Sequence, residues 1–465
     1  MEKTNIIFLF IVIILVIFLG AFSPILTYIS LAISLLIALC ISLKAKKDNY
    51  IVCYGIMLLL SFQNFCIGFG AHIAGNTSSS LSFLTQIPFL TIFTIWFFVR
   101  LGKIRENIFK DKSFFWYLML IICIIFSYFI GHGEIKAILT TIRNILLFYM
   151  VYDLGKYYIV SKDSLNKFYL QFMNLMKFLF LVGVIFFVFG YKIYEFFGIN
   201  EVLIAKGSKV LEGELANRYI TNIFSYYFPR LSSLYFEPVN LAYVFAAAFI
   251  LSIYYDKRRS ISRNINIIIS ILGTALTFGK GGYLIVILSF LISIFLIFNE
   301  KVFNRINHKV KNKLLILLIV FITFFSIKIY IGKYTKSYVM PHIMSIKQTF
   351  NTIIQKPYGH GLGTGGNAAK IFGSTANNYL ATGGESALMS FGYQIGIQGL
   401  FCLFLCFCYL LPYRKDYKDK FSKIMCFIPY VLLIIGLMQE NTFTPQCITI
   451  YMLVLGALRS INENK

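Results

Sequence analysis

Apolar residues run along this chain in long stretches, separated by short clusters of Lys, Arg, Asn, Ser and Gly. Fourteen stretches read as membrane-crossing helices, at 6–19, 25–43, 50–69, 81–99, 114–130, 137–152, 168–190, 234–255, 264–278, 283–298, 314–331, 386–411, 424–438 and 446–458. Many reach the ~20 residues that a helix needs to cross a bilayer. A membrane barrel would show short alternating segments instead. The fourth stretch is interrupted by Gln86 and Pro88, and the sixth contains Arg143. The predicted fold class is therefore all-α: a polytopic integral membrane protein of about 14 transmembrane helices, with residues 1–465 as a single transmembrane domain. The first stretch follows a Lys and shows no small-x-small cleavage site, so it reads as a retained helix rather than a signal peptide.

Composition agrees, because 58% of the residues are hydrophobic and only 13% are charged, against about 25% in soluble domains. The formal net charge of +24 would suggest nucleic acid in a soluble protein. Here the basic residues instead hold cytoplasmic loops on their own side of the membrane, and no nucleic-acid partner is expected. With the N-terminus inside, the eight inner segments hold 28 Lys and Arg, while the five short outer connections hold two, Lys136 and Lys280. Both termini are thus expected in the cytoplasm. Two outer connections are long, 191–233 and 332–385, and at that length neither reads as a passive linker. The nine cysteines fall in apolar runs and imply no disulfide framework. Cys402, Cys406 and Cys408 have no His or carboxylate among them, so they read as buried small side chains. No metal site and no cofactor motif is read anywhere.

Ionisable groups in or beside spans cost several kcal/mol unless paired or wet. They are Arg143, Lys177, Glu237, Lys280, Lys328, Glu385 and Glu440. Lys177 and Lys328 read as snorkelling side chains, and Arg143 has a structural alternative as the partner of Glu134 or Glu440. The others gather towards the outer face, as if lining a polar cavity. Three segments carry them. "FPRLSSLYFEPVNLAYVFAAAF" (228–249) places Arg230 and Glu237 around a Ser/Tyr patch, with Pro238 opening a helix. "LTFGKGGYL" (276–284) sets Lys280 among three glycines in a very short connection. "KPYGHGLGTGG" (356–366) lies in the second long connection, which ends at Glu385. Its Gly361, Gly363 and Gly366 match G-x-G-x-x-G, but no βαβ unit surrounds them, and a dinucleotide site is rejected. His360 reads as a loop histidine. The loop 332–385 carries five lysines against Glu385, a positive surface suited to an anionic lipid head group.

Taken together, these segments resemble the bacterial polysaccharide polymerase and O-antigen ligase superfamily, the Wzy-type repeat-unit polymerases in particular. "RLSSLYFEPVNLA" resembles its arginine, aromatic, acid-Pro-x-Asn-x-Ala pattern at a helix start. "LTFGKGGYL" is similar to its short serine-arginine-glycine turn, with Lys280 where Arg is usual. "KPYGHGLGTGG" resembles its Pro-x-x-Gly-x-Gly segment, and "ESALMSFGYQIGIQGL" the segment ending in Gly-Ile-x-Gly. Ligases open that last segment with His-Asn, whereas Glu385-Ser386 stands here, as in many polymerases. The match covers about 228–400.

The resemblance implies a membrane-embedded glycosyltransferase of GT-C-like architecture in the bacterial cytoplasmic membrane. It would polymerise undecaprenyl-diphosphate-linked oligosaccharide repeat units into O-antigen, capsule or exopolysaccharide at the external face. It would work without a metal or cofactor, inverting the anomeric carbon. Partners would be the lipid-linked glycan, the bilayer, and flippase and chain-length regulator proteins. Glu385, Lys280 and Arg230 are the expected catalytic residues: Glu385 is the first choice of base, with Glu237 the second or else a partner that orients Arg230, and Lys280, Arg230 and Arg143 are the cations for the departing diphosphate. Arg143, Glu237, Asn240, Tyr235, His360, Gly361 and Gly363 are the expected substrate-binding residues. A ligase acting on another acceptor, or a flippase or transporter, are the alternatives.

Overall fold

The structure is a computed structural model. It describes residues 3–102, 111–205, 218–223, 226–258, 260–302, 336–372, 379–384, 386–412, 417 and 419–463. Ten helices among them are long and apolar enough to cross a membrane, and Thr4–Gly20 and Ile261–Thr277 are shorter apolar helices. The protein is a multi-pass all-α membrane protein. A helix stands over every expected span except 314–331, which lies outside the described residues together with Lys328.

The chain forms two compact units. The first comprises Met1–Phe115, Ile142–Tyr283 and Phe443–Lys465. It holds α1 (Lys3–Gly20), α2 (Pro24–Lys44), α3 (Ile51–Ala74), α4 (Leu81–Leu84) and α5 (Ile87–Leu101). The chain continues with α6 (Lys112–Ile130), α7 (Ile135–Tyr158), α8 (Lys162–Phe189), and the short α9 (Lys192–Phe196) and α10 (Ile199–Ala205). A hairpin of β1 (Ile220–Ile223) and β2 (Tyr226–Pro229) precedes α11 (Pro238–Ile250), whose last turn loosens into a π-helix to Tyr255. Then come α12 (Ile261–Thr277), α13 (Lys280–Val302) and, at the C-terminal end, α19 (Pro445–Glu463).

Helix α3 forms the centre of the first unit, because its glycines admit neighbours to the backbone. A Cβ on Gly55 would meet the Phe10 ring at 2.1 Å, and one on Gly70 the Phe18 carbonyl at 2.5 Å. Gly68 faces Gly198 on the approach to α10, where a Cβ on Gly198 (φ 79°) would lie 2.0 Å from the Gly68 carbonyl. Small residues serve the same purpose wherever apolar helices must touch backbone to backbone. The interruption at Gln86 and Pro88 separates α4 from α5. The freed Thr85 carbonyl accepts Gln63 Nε2 from α3 at 2.9 Å. At the ends of α5, α7 and α19, charges neutralise one another. Arg100 pairs with Asp153, whose other oxygen takes the Trp96 indole N–H, and Lys156 pairs with Glu463.

The second unit comprises Trp116–Thr141 and Leu284–Thr442. It contains most of α6 and of α13, from Trp116 and from Leu284 onward, with α14 (Lys336–Gln355), α15 (Gly366–Ile371), α16 (Ala387–Leu410), α17 (Lys420–Met425) and α18 (Ile428–Met438). Helix α16 is broken at Gly396, whose φ of 73° and ψ of −178° lie outside helical space.

Helix α7 packs backbone to backbone on α19. A Cβ on Gly456 would sit 1.9 Å from the Tyr152 carbonyl, and one on Gly155 2.3 Å from the Leu453 carbonyl. Gly456→Val forces these backbones apart, at a cost of about 1–3 kcal/mol or more. Thermal unfolding in detergent is expected to show a clear fall in Tm, whereas Gly102→Ala, at a helix end with φ −62° where a Cβ would meet nothing closer than 3.5 Å, loses far less.

Candidate functional site

In the first unit, the hairpin hands the chain to Arg230. The Arg230 amide donates to the Tyr219 carbonyl at 2.7 Å, and the Leu231 amide to the Leu276 carbonyl at 2.9 Å. The Arg230 side chain continues the same stitching. Its Nε donates to the Thr277 carbonyl at 3.0 Å and its Nη1 to the Arg218 carbonyl at 3.3 Å. Leu276 and Thr277 end α12, where helix carbonyls lack intrahelical partners and the dipole is negative. Arg230 is therefore held by a helix end, which leaves Nη2 without a protein partner among the described residues. Burial pulls the Arg230 guanidinium below its ordinary range. Glu237 opposes this, and Arg218 adds to it.

The backbone that follows is strained. Ser233 (φ 51°) and Phe236 (φ 55°) lie in left-handed space, as does Phe278 (φ 49°) at the end of α12. Only Asp48 joins them among the described non-glycine residues. Each such residue costs of order 1–3 kcal/mol and persists only where surrounding contacts over-determine it. Those contacts are visible. Asn64 Nδ2 donates to the Tyr235 carbonyl at 2.5 Å, and the Tyr219 hydroxyl donates to the Phe236 carbonyl at 2.8 Å. Tyr219 is in turn stacked flat on Tyr194, with centroids 4.1 Å apart.

The turn delivers Glu237 to the N-cap position of α11 with Pro238 next, as its sequence suggested. The carboxylate does not cap the helix. It takes Arg218 Nη1 at 2.7 Å, in a pair whose side chains remain 24% and 16% exposed. Arg218 is a charged residue that the sequence reading passed over. Its signal was an arginine in the first long connection, twelve residues ahead of Arg230. The Lys280 turn leans on the same helix. A Cβ on Gly279 would lie 2.3 Å from Ala242 Cβ, one on Gly281 2.2 Å from the Tyr243 hydroxyl, and one on Gly282 2.7 Å from the Ala242 carbonyl. Lys280 itself is exposed at the first residue of α13. Arg230, the Arg218–Glu237 pair and the Lys280 turn thus share the surroundings of the first turns of α11.

Asn240 and Tyr235 lie inside the packing. Asn240 Nδ2 donates to Gln446 Oε1 at 2.7 Å, and Gln446 Nε2 passes the chain on to the Leu60 carbonyl at 3.2 Å. The fully buried Tyr235 meets Ser61 with its hydroxyl at 3.2 Å. Arg143 donates to the Thr85 carbonyl at 3.4 Å and to Asn144 Oδ1 at 3.3 Å. Within its own unit, no described carboxylate pairs with it.

In the second unit, one buried amide organises the glycine-rich loop. Gln394 Oε1 accepts the Gly363 amide at 2.7 Å and the Thr141 hydroxyl at 3.1 Å. Its Nε2 donates to the Gly365 carbonyl at 3.3 Å and to Ser390 Oγ at 3.1 Å. The backbone carbonyl of Gln394 takes the Gly361 amide at 3.2 Å. Gly361 (φ 101°) and Gly363 (φ 72°) occupy backbone conformations that favour glycine. A Cβ on Gly361 would lie 2.0 Å from the Gly131 carbonyl, and one on Gly363 2.9 Å from Ile138. Because the Gly361 and Gly363 amides bond within the protein, neither is offered to a phosphate. His360 stacks on Tyr393 with centroids 4.1 Å apart. Glu385 lies outside the described residues. Beyond it, Ser386 caps α16 through the Met389 amide, and Glu440 accepts the Asn367 amide at 3.0 Å.

No protein-family model matches the chain, and no curated protein matches it in sequence.

Gln394→Leu removes the partner of several buried groups at once, each worth about 1–3 kcal/mol when left unmade. Hydrogen exchange across residues 356–366 is expected to accelerate strongly. The same loop is expected to respond to acid. Burial holds the His360 imidazole below its ordinary value of 6.5, against the raising effect of the Tyr393 carbonyl. The folded loop therefore favours the neutral ring. Its contribution is present above the ordinary value and is lost as pH falls through the lowered one. Exchange in 356–366 should rise across that window in the wild type, and much less in His360→Gln.

Proposed function

We propose that the chain is a membrane-embedded glycosyltransferase of the Wzy-type polymerase kind, extending lipid-diphosphate-linked glycans at the external membrane face. In this reading it crosses the bacterial cytoplasmic membrane about 14 times in a GT-C-like arrangement, with both termini in the cytoplasm. The observation that carries the proposal is the strained backbone. Three of the four described non-glycine residues in left-handed conformation belong to "RLSSLYFEP" and "LTFGKGG", two of the segments on which the resemblance rests. Ordinary helix-to-helix connections need no such strain, and its concentration here supports a positioned site.

The chemistry follows from the charges. The acceptor hydroxyl oxygen bonds to the anomeric carbon of the donor sugar as the bond to the diphosphate oxygen breaks. The electron pair departs with the lipid diphosphate, and the hydroxyl proton passes to a carboxylate. Arg230, already desolvated, gains from an anion more than a solvated arginine would. Its Nη2, which has no partner among the described residues, suits the departing diphosphate together with Lys280 at the neighbouring turn. Glu237 is engaged by Arg218 and so suits a positioning role. Glu385 remains the proposed base. Lys280 offers phosphate a point charge rather than the planar fork of arginine.

Purified protein reconstituted with lipid-diphosphate-linked repeat units tests this directly. Chain growth on the carrier is the expected result. Movement of the lipid across the bilayer without growth would mean a flippase, and transfer to another acceptor without added repeats would mean a ligase. Glu385→Gln and Lys280→Ala should each lower chain growth by about 10²–10³-fold while inserting normally. Arg218→Ala, by releasing Glu237, should lower it less. Wild-type chain lengths in the first two would remove the site assignment.

A further inference from the structure

Helix α14 has its sides reversed for a helix that meets water. Ser345, Thr349 and Ile353, spaced by four, form the buried stripe, with the two hydroxyl residues fully enclosed. Met344, Phe350 and Ile354 point outward and are 42%, 54% and 56% exposed. Tyr358, just beyond the helix, is 64% exposed. A soluble surface helix would bury Phe350 and Ile354 and show the serine and threonine. Nor does this helix read as a span. Lys336, His342, Lys347, Gln348, Asn351 and Gln355 interrupt it, and it is not among the helices apolar enough to cross a membrane. Lys347 and Asn351 share this outward side with the apolar residues, and Lys356 follows the end of the helix. All three are exposed.

An exposed apolar strip bordered by lysines and closed by a tyrosine fits the boundary between acyl chains and head groups. We infer that α14 lies in the plane of the membrane surface and docks on anionic phospholipid. Phe350 and Ile354 enter the acyl boundary, Tyr358 sits at head-group depth, and Lys347 and Lys356 meet lipid phosphates. The charge complementarity favours this occupant over a second copy of the chain, whose own exposed lysines would repel. Because α14 runs directly into the loop 356–366, this contact would hold the start of that loop at the level of the lipid head groups. The inference needs the membrane character of the chain but not the glycosyltransferase proposal.

Full-length protein in nanodiscs of mixed phosphatidylglycerol and phosphatidylcholine provides the test. A photo-crosslinking residue placed at Phe350 or Ile354 should give lipid adducts several-fold more often than one at Thr352, which lies on the opposite side of the helix. Lys347→Gln and Lys356→Gln should each reduce phosphatidylglycerol retained in native mass spectrometry by roughly fivefold relative to phosphatidylcholine. Four results would each overturn the proposal: adducts to a second copy at Phe350 and Ile354, no adducts there, equal labelling at Thr352, or unchanged phosphatidylglycerol retention in both variants.

Discussion

A peptide carbonyl or amide removed from water must find its partner inside the protein, and in apolar surroundings failure costs several kcal/mol. Regular helices meet this condition without help. The difficulty arises where a helix stops or breaks inside the packing, and there the protein uses buried side-chain amides. Gln63 donates to the carbonyl freed between α4 and α5, and Asn64 donates to the Tyr235 carbonyl in the turn before α11. Asn240 and Gln446 link α11, α19 and α3. Gln394 alone serves two positions in the glycine-rich loop. At Gly396 the solution runs the other way, because the Pro357 carbonyl of that loop accepts the Ile397 amide at 2.9 Å. The break in α16 and the loop that fills it are therefore one structure.

This constraint explains why strain and charge coincide. A turn of left-handed residues exposes peptide groups that no helix satisfies, so it survives only where several partners converge. Around Arg230 those partners are the hairpin, the end of α12, and the Tyr219–Tyr194 stack. The same contacts fix the guanidinium and keep it partly desolvated. A charge already positioned and already stripped of water has little left to reorganise when an anion arrives. The Arg218–Glu237 pair then places a carboxylate beside it without cancelling the Arg230 charge.

Glycine plays two distinct parts. In Gly456, Gly281 and Gly282 the need is for space, because a neighbouring backbone or ring stands where a Cβ would be. In Gly361, Gly363 and Gly396 the need is for positive φ as well. Both kinds occur in the segments singled out by sequence, but only the second bends the chain. "GKGG" is accordingly a packing device that brings the Lys280 turn onto α11, and "GHGLG" is a loop folded around Gln394.

The order of apolar runs and the breakers between them determined the helices, since a stretch of about twenty apolar residues has few alternatives to a helix. Pro88 and Pro238 marked where helices break or start, because proline acts locally, whereas the break at Gly396 fell inside an apolar run that read as one helix. The motif segments were also legible as irregular. Their partners were not. Arg218 on Glu237, Gln394 on Gly363 and Asn240 on Gln446 join residues from 19 to 206 positions apart, and no local rule links them. Asn240 and Tyr235 look alike in sequence to residues that face a ligand. Only the packing shows that the amide is spent on Gln446 and the phenol on Ser61. Sequence determined which groups are polar in an apolar chain. Tertiary structure decided which of them are used up inside it, because a hydrogen-bond partner is set by proximity in space.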